Sequence, residues 1–252
     1  MRRAAMVLAV LGVCGAASGQ TLVGPSTAVL NGSRLGLSVE YGQADADITF
    51  DADGGVTENF DLRTAFVGLS AALTDRWEFF VRAGGSQADA DGFDGDWNFS
   101  WGLGTRYTVL QWHDLAWGVL GQFTNVVSDI DTMEVFDVND GPIAATEELN
   151  LGEYVIATGP TWRHDRLCLY GGLFVRYVEG DFEIIAGRFG DQFDVDAQWD
   201  FGGYVGGTVT LFRTNPALTY GFSRGDLVGE GRFTSDSTGF SVGVQLPFGG
   251  EY

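Results

Sequence analysis

Apolar residues recur at every second position in ten segments between Arg34 and Phe248. The last segment shows the pattern most clearly, with five apolar residues on one face: Phe240, Val242, Val244, Leu246 and Phe248. Successive side chains of a strand point to opposite faces, so each segment has one apolar and one non-apolar face. The pattern predicts an all-β fold, a single antiparallel up-and-down transmembrane β-barrel of about ten strands, with eight strands as the alternative.

The other segments differ in how regular they are. The clear ones run from Leu35 to Tyr41, from Trp77 to Val81, from Trp97 to Tyr107, from Leu115 to Phe123, from Leu167 to Tyr177 and from Trp199 to Leu211. Two segments, about 60–73 and 149–162, are less regular and indicate a bulge. A short ninth segment is predicted at Leu218, Tyr220 and Phe222.

The composition of the non-apolar face indicates whether lipid or water surrounds the barrel. In the fourth segment this face is small and uncharged: Asn98, Ser100, Gly102 and Gly104. A strand face exposed to water would usually carry charged residues. The charged residues that do fall on this face have mixed signs: Glu40, Glu78, Arg82, Arg106, Arg176 and Asp200. We expect them to form a lumen charge network of arginine–carboxylate pairs.

The connections alternate between short turns and long acidic stretches. The short ones begin at Thr74, Gln111, Arg163 and Arg213. The predicted long loops are 51–58, 89–96, 129–148, 179–196 and 224–236. Bacterial barrels place short turns in the periplasm and long loops outside, and aromatic residues at both interfaces. The inner aromatic belt is predicted at Trp77, Tyr107, Trp112 and Trp162, and the outer one at Tyr41, Phe60, Trp97 and Trp199.

The chain begins with a pattern typical of a secretory signal. Two arginines precede an apolar run of about a dozen residues and the small residues Ala16 to Gly19. We therefore expect a signal peptide over 1–19, a short N-terminal segment over 20–33, the barrel over 34–248 and a C-terminal tail over 249–252. Cys14 would leave with the signal, so Cys168 would have no intramolecular disulfide partner.

With these features the chain resembles the small bacterial outer-membrane β-barrel proteins of the OmpA-like and opacity-type group. The likeness is carried by the signal sequence, by the strand–turn–strand from Ala65 to Trp77 and by a terminal strand that ends on an aromatic residue. It implies a location in the bacterial outer membrane, with membrane lipid and the barrel assembly machinery as partners. The terminal segment, Phe240 to Phe248, would be the strand that this machinery reads, with Phe248 or Tyr252 as its aromatic signal.

Composition limits the other partners and cofactors. The chain has 34 acidic residues, 14 arginines and no lysine, for a net charge of −20. Such acidity argues against nucleic acid as a partner, since phosphate recognition needs clustered positive charge. No cofactor is expected, with one open alternative: carboxylates around glycines could hold Ca²⁺ at Asp89, Asp91, Asp94 and Asp96. A complete calcium loop would need a distal bidentate glutamate, which is missing here.

No catalytic constellation is apparent, and we expect no enzymatic activity. Omptin-type proteases are ten-stranded barrels that use Asp and His at the extracellular rim, but the two histidines here, His113 and His164, fall in short turns at the opposite end. The favoured function is a structural or surface-interaction role, in which the acidic extracellular loops meet an unknown ligand. The alternative is a narrow channel for small, cationic solutes, since an acidic mouth enriches cations.

Overall fold

The structure is a computed structural model that describes residues 22–30, 33–50, 56–90, 95–137, 141–186, 189–213, 222–235 and 237–250. Its strands are β1 (Ser33–Phe50), β2 (Val56–Thr74), β3 (Trp77–Ala90), β4 (Gly95–Asp96), β5 (Asn98–Trp112), β6 (Leu115–Asp137), β7 (Gly141–His164), β8 (Leu167–Ala186), β9 (Phe189–Arg213), β10 (Arg224–Phe233) and β11 (Ser237–Gly250). All neighbouring strands pair antiparallel, and β1 pairs with β11. The two-residue β4 continues the line of β5 along β6. The predicted closed barrel of ten strands is therefore confirmed.

The two faces of the strands separate as the alternation predicts. On β5 the Phe99 side chain is 67% exposed on the outer surface, whereas Ser100 is completely buried. The same contrast holds on β3, where Val81 is exposed and Arg82 is buried. Apolar side chains thus cover the outside and polar ones fill the inside, which is the arrangement expected where lipid is the solvent. Among the described residues, no helix is long and apolar enough to cross a membrane.

Three two-residue turns join strands at one end of the barrel. They are Asp75–Arg76, His113–Asp114 and Asp165–Arg166. His113 and Asp165 adopt φ values of 51° and 50°. Tight hairpin turns need such left-handed residues, because their twist then matches that of the strands. We assign this end to the periplasm, following the rule that periplasmic turns are short.

At the other end the strands run further than their hydrophobic pattern indicates. β6 and β7 pair through most of the predicted 129–148 loop, and β8 and β9 pair through most of the predicted 179–196 loop. The prediction of long loops there was wrong. Once a strand leaves the membrane its outward side chains no longer need to be apolar, so the ladder of hydrogen bonds continues without the alternation that marks it in the sequence.

The ninth strand also differs from its prediction. Because the two-residue β4 has its own number, this strand is β10, and it occupies most of the segment predicted as the 224–236 loop. Leu218 and Tyr220 lie outside the described residues. Phe222 lies outside the named strands and forms an isolated bridge to Phe248. The prediction failed because Gly229 and Gly231 occupy outward positions of β10. Glycine has no apolar side chain, so the alternation of apolar and polar residues cannot be recognised in this part of the sequence.

A shift of register marks the irregular second segment. The β2–β3 pairing slips between Ala72 and Thr74, close to the turn, as the sequence indicates.

The β10–β11 hairpin is shorter than its neighbours, and beyond it β1 pairs directly with β9 through Phe50 and Val195. The barrel is thus closed by ten strands within the membrane and continues outward on fewer.

Candidate functional site

The interior of the barrel is occupied by Leu22–Leu30, which we call the lumen segment. It lies in the predicted N-terminal segment and carries no charged residue. Val23 and Thr27 are completely buried, and every other residue of the segment except Val29 is also buried. The lumen segment is not part of any strand, so its backbone needs hydrogen-bond partners from elsewhere.

One half of the lumen segment is held by β3, β9 and β10. The Glu230 carboxylate accepts hydrogen bonds from the backbone N–H groups of Val23 and Gly24, both at 2.8 Å. Arg82 donates to the carbonyl oxygen of Leu22 at 3.2 Å, and the Ser26 hydroxyl is hydrogen-bonded to that of Tyr204. Gly24 has a φ of 70°, a conformation that glycine adopts without the steric cost other residues incur.

The other half is held at the periplasmic side. The Glu78 carboxylate accepts hydrogen bonds from the N–H groups of Val29 and Leu30, at 2.8 and 3.3 Å. Arg163 and Arg224 donate to the carbonyl oxygens of Ala28 and Val29, each at 2.7 Å. Further contacts come from threonines of the wall: Ala28 to Thr108 and Thr27 to Thr161. Side chains of the barrel thus replace water along the segment.

The lumen segment passes directly over Gly118 of β6. A Cβ atom at position 118 would lie 2.4 Å from the carbonyl oxygen of Ser26 and 2.8 Å from the backbone nitrogen of Thr27. No real Cβ atom makes such contacts with backbone. Glycine is therefore required here for the segment and the wall to approach each other.

The structure brings the six residues of the predicted lumen charge network into three pairs. Glu78 and Arg106 lie opposite each other on β3 and β5, with Oε1 and Nε 3.8 Å apart. Arg176 and Asp200 lie opposite each other on β8 and β9 and form a close ion pair. Arg82 reaches across β2 to Glu40, at 3.5 Å. Apart from Glu40, which is partly exposed, all these side chains are buried in the lumen.

Three further lumen residues were missed by the sequence reasoning. Arg232 donates to Glu153 at 3.1 Å, and Glu230 holds the lumen segment. Glu230 and Arg232 were assigned to the loop now known to be β10, so their inward direction was not recognised. The spacing of Asp226, Glu230 and Arg232 at even positions was the available signal.

Aromatic rings fill the space around the lumen arginines. Arg106 lies over the ring of Phe80, and Arg232 over that of Phe174, each at 4.7 Å from the ring centre. Such stacking stabilises a guanidinium that has left water. Together with the lumen segment, these rings leave the centre of the barrel packed with side chains.

On the outside, a continuous row of aromatic residues crosses five strands. We call it the outer aromatic row: Trp101, Phe123, Tyr154, Tyr177 and Trp199. Neighbouring rings lie 4.8 to 5.9 Å apart. Such a belt marks the membrane–water interface. Phe60, which was predicted for this belt, instead points inward and is 1% exposed.

Beyond the outer aromatic row, β6 to β9 become strongly acidic. The segments 124–137, 141–153, 178–186 and 189–198 contain 13 acidic residues and no arginine or lysine. Four carboxylates face one another in register on adjacent strands, and we call them the acidic row: Asp96, Asp129, Glu148 and Glu183. Directly opposed residues lie about 5 Å apart between Cβ atoms, and like charges so placed repel.

The predicted calcium residues do not all fall within the described part of the chain. Asp91 and Asp94 lie outside it. Asp89 accepts a hydrogen bond from the Gly95 N–H at 2.9 Å and pairs with Arg63 at 3.1 Å, so its carboxylate is already used. Asp96 is exposed in the acidic row. No group of three or more possible metal ligands is found among the described residues.

Both histidines lie at the periplasmic turns, as predicted. His164 stacks on Trp162 and lies 3.5 Å from Asp114, and both members of this pair are exposed. His113 lies in the neighbouring turn. The extracellular rim of this barrel therefore has no imidazole available for acid–base chemistry, because the sequence contains no third histidine.

The predicted assembly strand is β11. Its apolar residues pair in register with those of β1, from Phe248 opposite Leu35 to Val242 opposite Tyr41. Val244 is exposed on the outer face, whereas Ser241 is buried. Phe248 contacts Phe222 edge to face, with ring centres 5.8 Å apart. Tyr252, the other candidate for the terminal signal, lies outside the described residues.

The fold, the lipid-facing surface and the outer aromatic row together define a bacterial outer-membrane β-barrel protein. Among solved structures, the chain is similar to the outer membrane protease OmpT from Escherichia coli, with a TM-score of 0.52 and 8% identity over 86% of this chain and 96% of that one. It is also similar to an outer membrane channel from Pseudomonas putida F1, with a TM-score of 0.45 and 11% identity over 91% and 100%. The third is the attachment invasion locus protein Ail of Yersinia pestis, with a TM-score of 0.31 and 12% identity over 86% and 97%.

At these identities a structural likeness shows the fold and not the activity. No protein-family model matches the chain. No curated protein matches it either.

Proposed function

We propose that this protein is a non-conducting outer-membrane barrel that presents an acidic, strand-built surface to a cationic partner outside the cell. The observation that carries the proposal is the lumen segment. A barrel that conducts needs a continuous aqueous path, and here the path is occupied by buried residues bonded to the wall at Glu230 and Glu78. The membrane-embedded part then serves as a support.

The acidic outer strands supply the interacting surface. Paired strands hold their side chains at fixed spacing, so carboxylates on β6 to β9 form a regular array. An array of one sign attracts an oppositely charged partner and speeds its association. Basic peptides and divalent cations fit this surface. Calcium would then act as a bridge between carboxylates, or between them and lipid phosphates.

Planar-bilayer recording tests the non-conducting part. The purified protein should remain at baseline current, with or without millimolar calcium. Stable, cation-selective steps would instead support the alternative, a narrow channel for small cationic solutes, and would overturn the proposal.

Binding of a short oligolysine peptide tests the surface part. We expect salt-sensitive binding that weakens severalfold when Asp129, Glu148 and Glu183 are all replaced by their amides. The matched control replaces Asp75, Asp114 and Asp165 of the periplasmic turns by asparagine, which removes the same number of charges at the opposite end and should leave binding unchanged. Equal binding by both variants would exclude the acidic row as the contact surface.

The acidic row also makes a prediction about stability. Replacing Glu148 by lysine places a positive charge between Asp129 and Glu183, so two repulsive pairs become attractive. The free energy of unfolding should rise by about 1 kcal/mol. Urea unfolding in lipid vesicles measures this, with Asp75→Lys as the control for net charge. A decrease for Glu148→Lys would mean that the row is stabilised by something other than relief of repulsion.

A further inference from the structure

A small cavity opens at the periplasmic end of the lumen. Its volume is about 100 Å³, and the lumen segment forms one wall through Pro25 and Val29. The opposite wall comes from the turn between β7 and β8 and from the periplasmic ends of β9 and β10. A cavity of this size is too small for a drug-sized molecule, which needs several hundred Å³. It can hold a small polyatomic ion.

The charge of this cavity is opposite to that of the protein. Four arginines line it against two aspartates, which leaves an excess of two positive charges: Arg163, Arg166, Arg213 and Arg224 against Asp165 and Asp226. The whole chain has only 14 arginines and a net charge of −20. Nearly a third of its positive charge is therefore gathered around one small space.

The two aspartates are already engaged. Asp226 is buried and accepts hydrogen bonds from Thr210 and forms an ion pair with Arg224, each at 2.7 Å. Asp165 lies 3.9 Å from Arg213 in an exposed, weak pair. Within the described part of the chain, the guanidinium of Arg166 faces no carboxylate.

Two of the arginines are fixed in place by the lumen segment. Arg163 and Arg224 each donate to a backbone carbonyl oxygen of that segment, which is a neutral acceptor and cancels no charge. Arg224 is also paired with Asp226, whereas Arg163 has no carboxylate within ion-pair distance among the described residues. A guanidinium has five N–H donors, so several remain on each. A planar fork of such donors suits the oxygens of phosphate and carboxylate groups.

We propose that this cavity is a binding site for a phosphate group that approaches from the periplasm. Arg163 and Arg224 form its rigid inner wall, and Arg166 and Arg213 form its exposed rim. Two sources supply such a group: inorganic phosphate, and the phosphate monoester of a larger molecule whose body stays outside the cavity.

Cys168 provides a probe of the site, because its side chain also lines the cavity. In a Cys14→Ser background it is the single thiol of the chain. Its rate of modification is measured with two methanethiosulfonates, one carrying a sulfonate and one a trimethylammonium group. Relative to a free thiol, the anionic reagent should be favoured about tenfold, as expected for two excess positive charges a short distance away.

Replacing Arg166 and Arg213 by glutamine removes the two excess positive charges and should therefore remove most of this preference. Neither residue is hydrogen-bonded to the lumen segment among the described residues, so the segment should stay in place. The matched control is Arg76→Gln, an exposed arginine in another periplasmic turn, which should leave the preference unchanged. Millimolar inorganic phosphate and glycerol phosphate should both slow labelling more than chloride at equal ionic strength. Stronger protection by glycerol phosphate would identify a monoester as the ligand, and equal protection the free ion. Absence of protection, or a preference that survives the double replacement, would overturn the proposal.

Discussion

Replacing Gly118 by leucine should convert a silent barrel into a conducting one. The new Cβ atom would lie 2.4 Å from the Ser26 carbonyl oxygen, and the remaining side-chain atoms would occupy the path of the lumen segment. The segment cannot stay in place, yet no charged residue has been removed. Water then enters a lumen whose wall carries Glu40, Glu78 and Glu230.

The open barrel should also discriminate between cations and anions. Freed from the N–H groups of the lumen segment, Glu78 and Glu230 would face water, and the acidic ends of β6 to β9 would enrich cations at the outer mouth. The open barrel should therefore prefer cations. Planar-bilayer recording should show stable steps for Gly118→Leu and for a variant lacking 22–30, against baseline for the unchanged protein.

The control for this experiment lies on the same strand. Gly121→Leu adds the same side chain where a Cβ atom meets nothing within 4 Å, so this variant should stay silent. If both Gly118→Leu and the deletion were silent as well, the arginine–carboxylate pairs alone would close the lumen. The lumen segment would then be a structural filler and not the barrier.

The fold could be read from the sequence because the membrane imposes a simple rule on it. A strand in lipid must be apolar on its outer face at every second residue. Phe99, Trp101 and Leu103 therefore identify both the strand and the face of it that points outward. The same alternation placed Glu78 and Arg106 in the lumen. Their pairing follows from their positions opposite each other on neighbouring strands, since an inward charge has few other places to find a partner.

The lumen segment could not be read in this way. Its contacts are hydrogen bonds from backbone groups to side chains such as Glu230 and Thr108, and backbone groups are the same in every sequence. Leu22–Leu30 therefore has no periodicity that distinguishes it from a linker. The extended outer strands were missed for a related reason: in water, paired strands do not need an apolar face, and the acidic residues of β6 to β9 are typical of loops.

Removing Arg176 alone should destabilise the barrel strongly. Asp200 is 3% exposed and receives two hydrogen bonds from Arg176, so Arg176→Leu leaves a carboxylate buried without its cation. Breaking a buried ion pair in this way costs about 3–5 kcal/mol. Urea unfolding in lipid vesicles, followed by tryptophan fluorescence, measures the loss.

A double variant distinguishes the contribution of the ion pair to stability from the contribution of side-chain packing. Arg176→Leu combined with Asp200→Leu removes both charges, and it should recover most of the stability that the single change loses, because apolar residues often replace a buried pair without net cost. The comparison pair is Arg213 and Asp165, which are 54% and 73% exposed. Arg213→Leu should cost less than about 1 kcal/mol, since exposed pairs contribute little. A double variant as unstable as Arg176→Leu would show that Arg176 stabilises the barrel through its packing rather than through its charge.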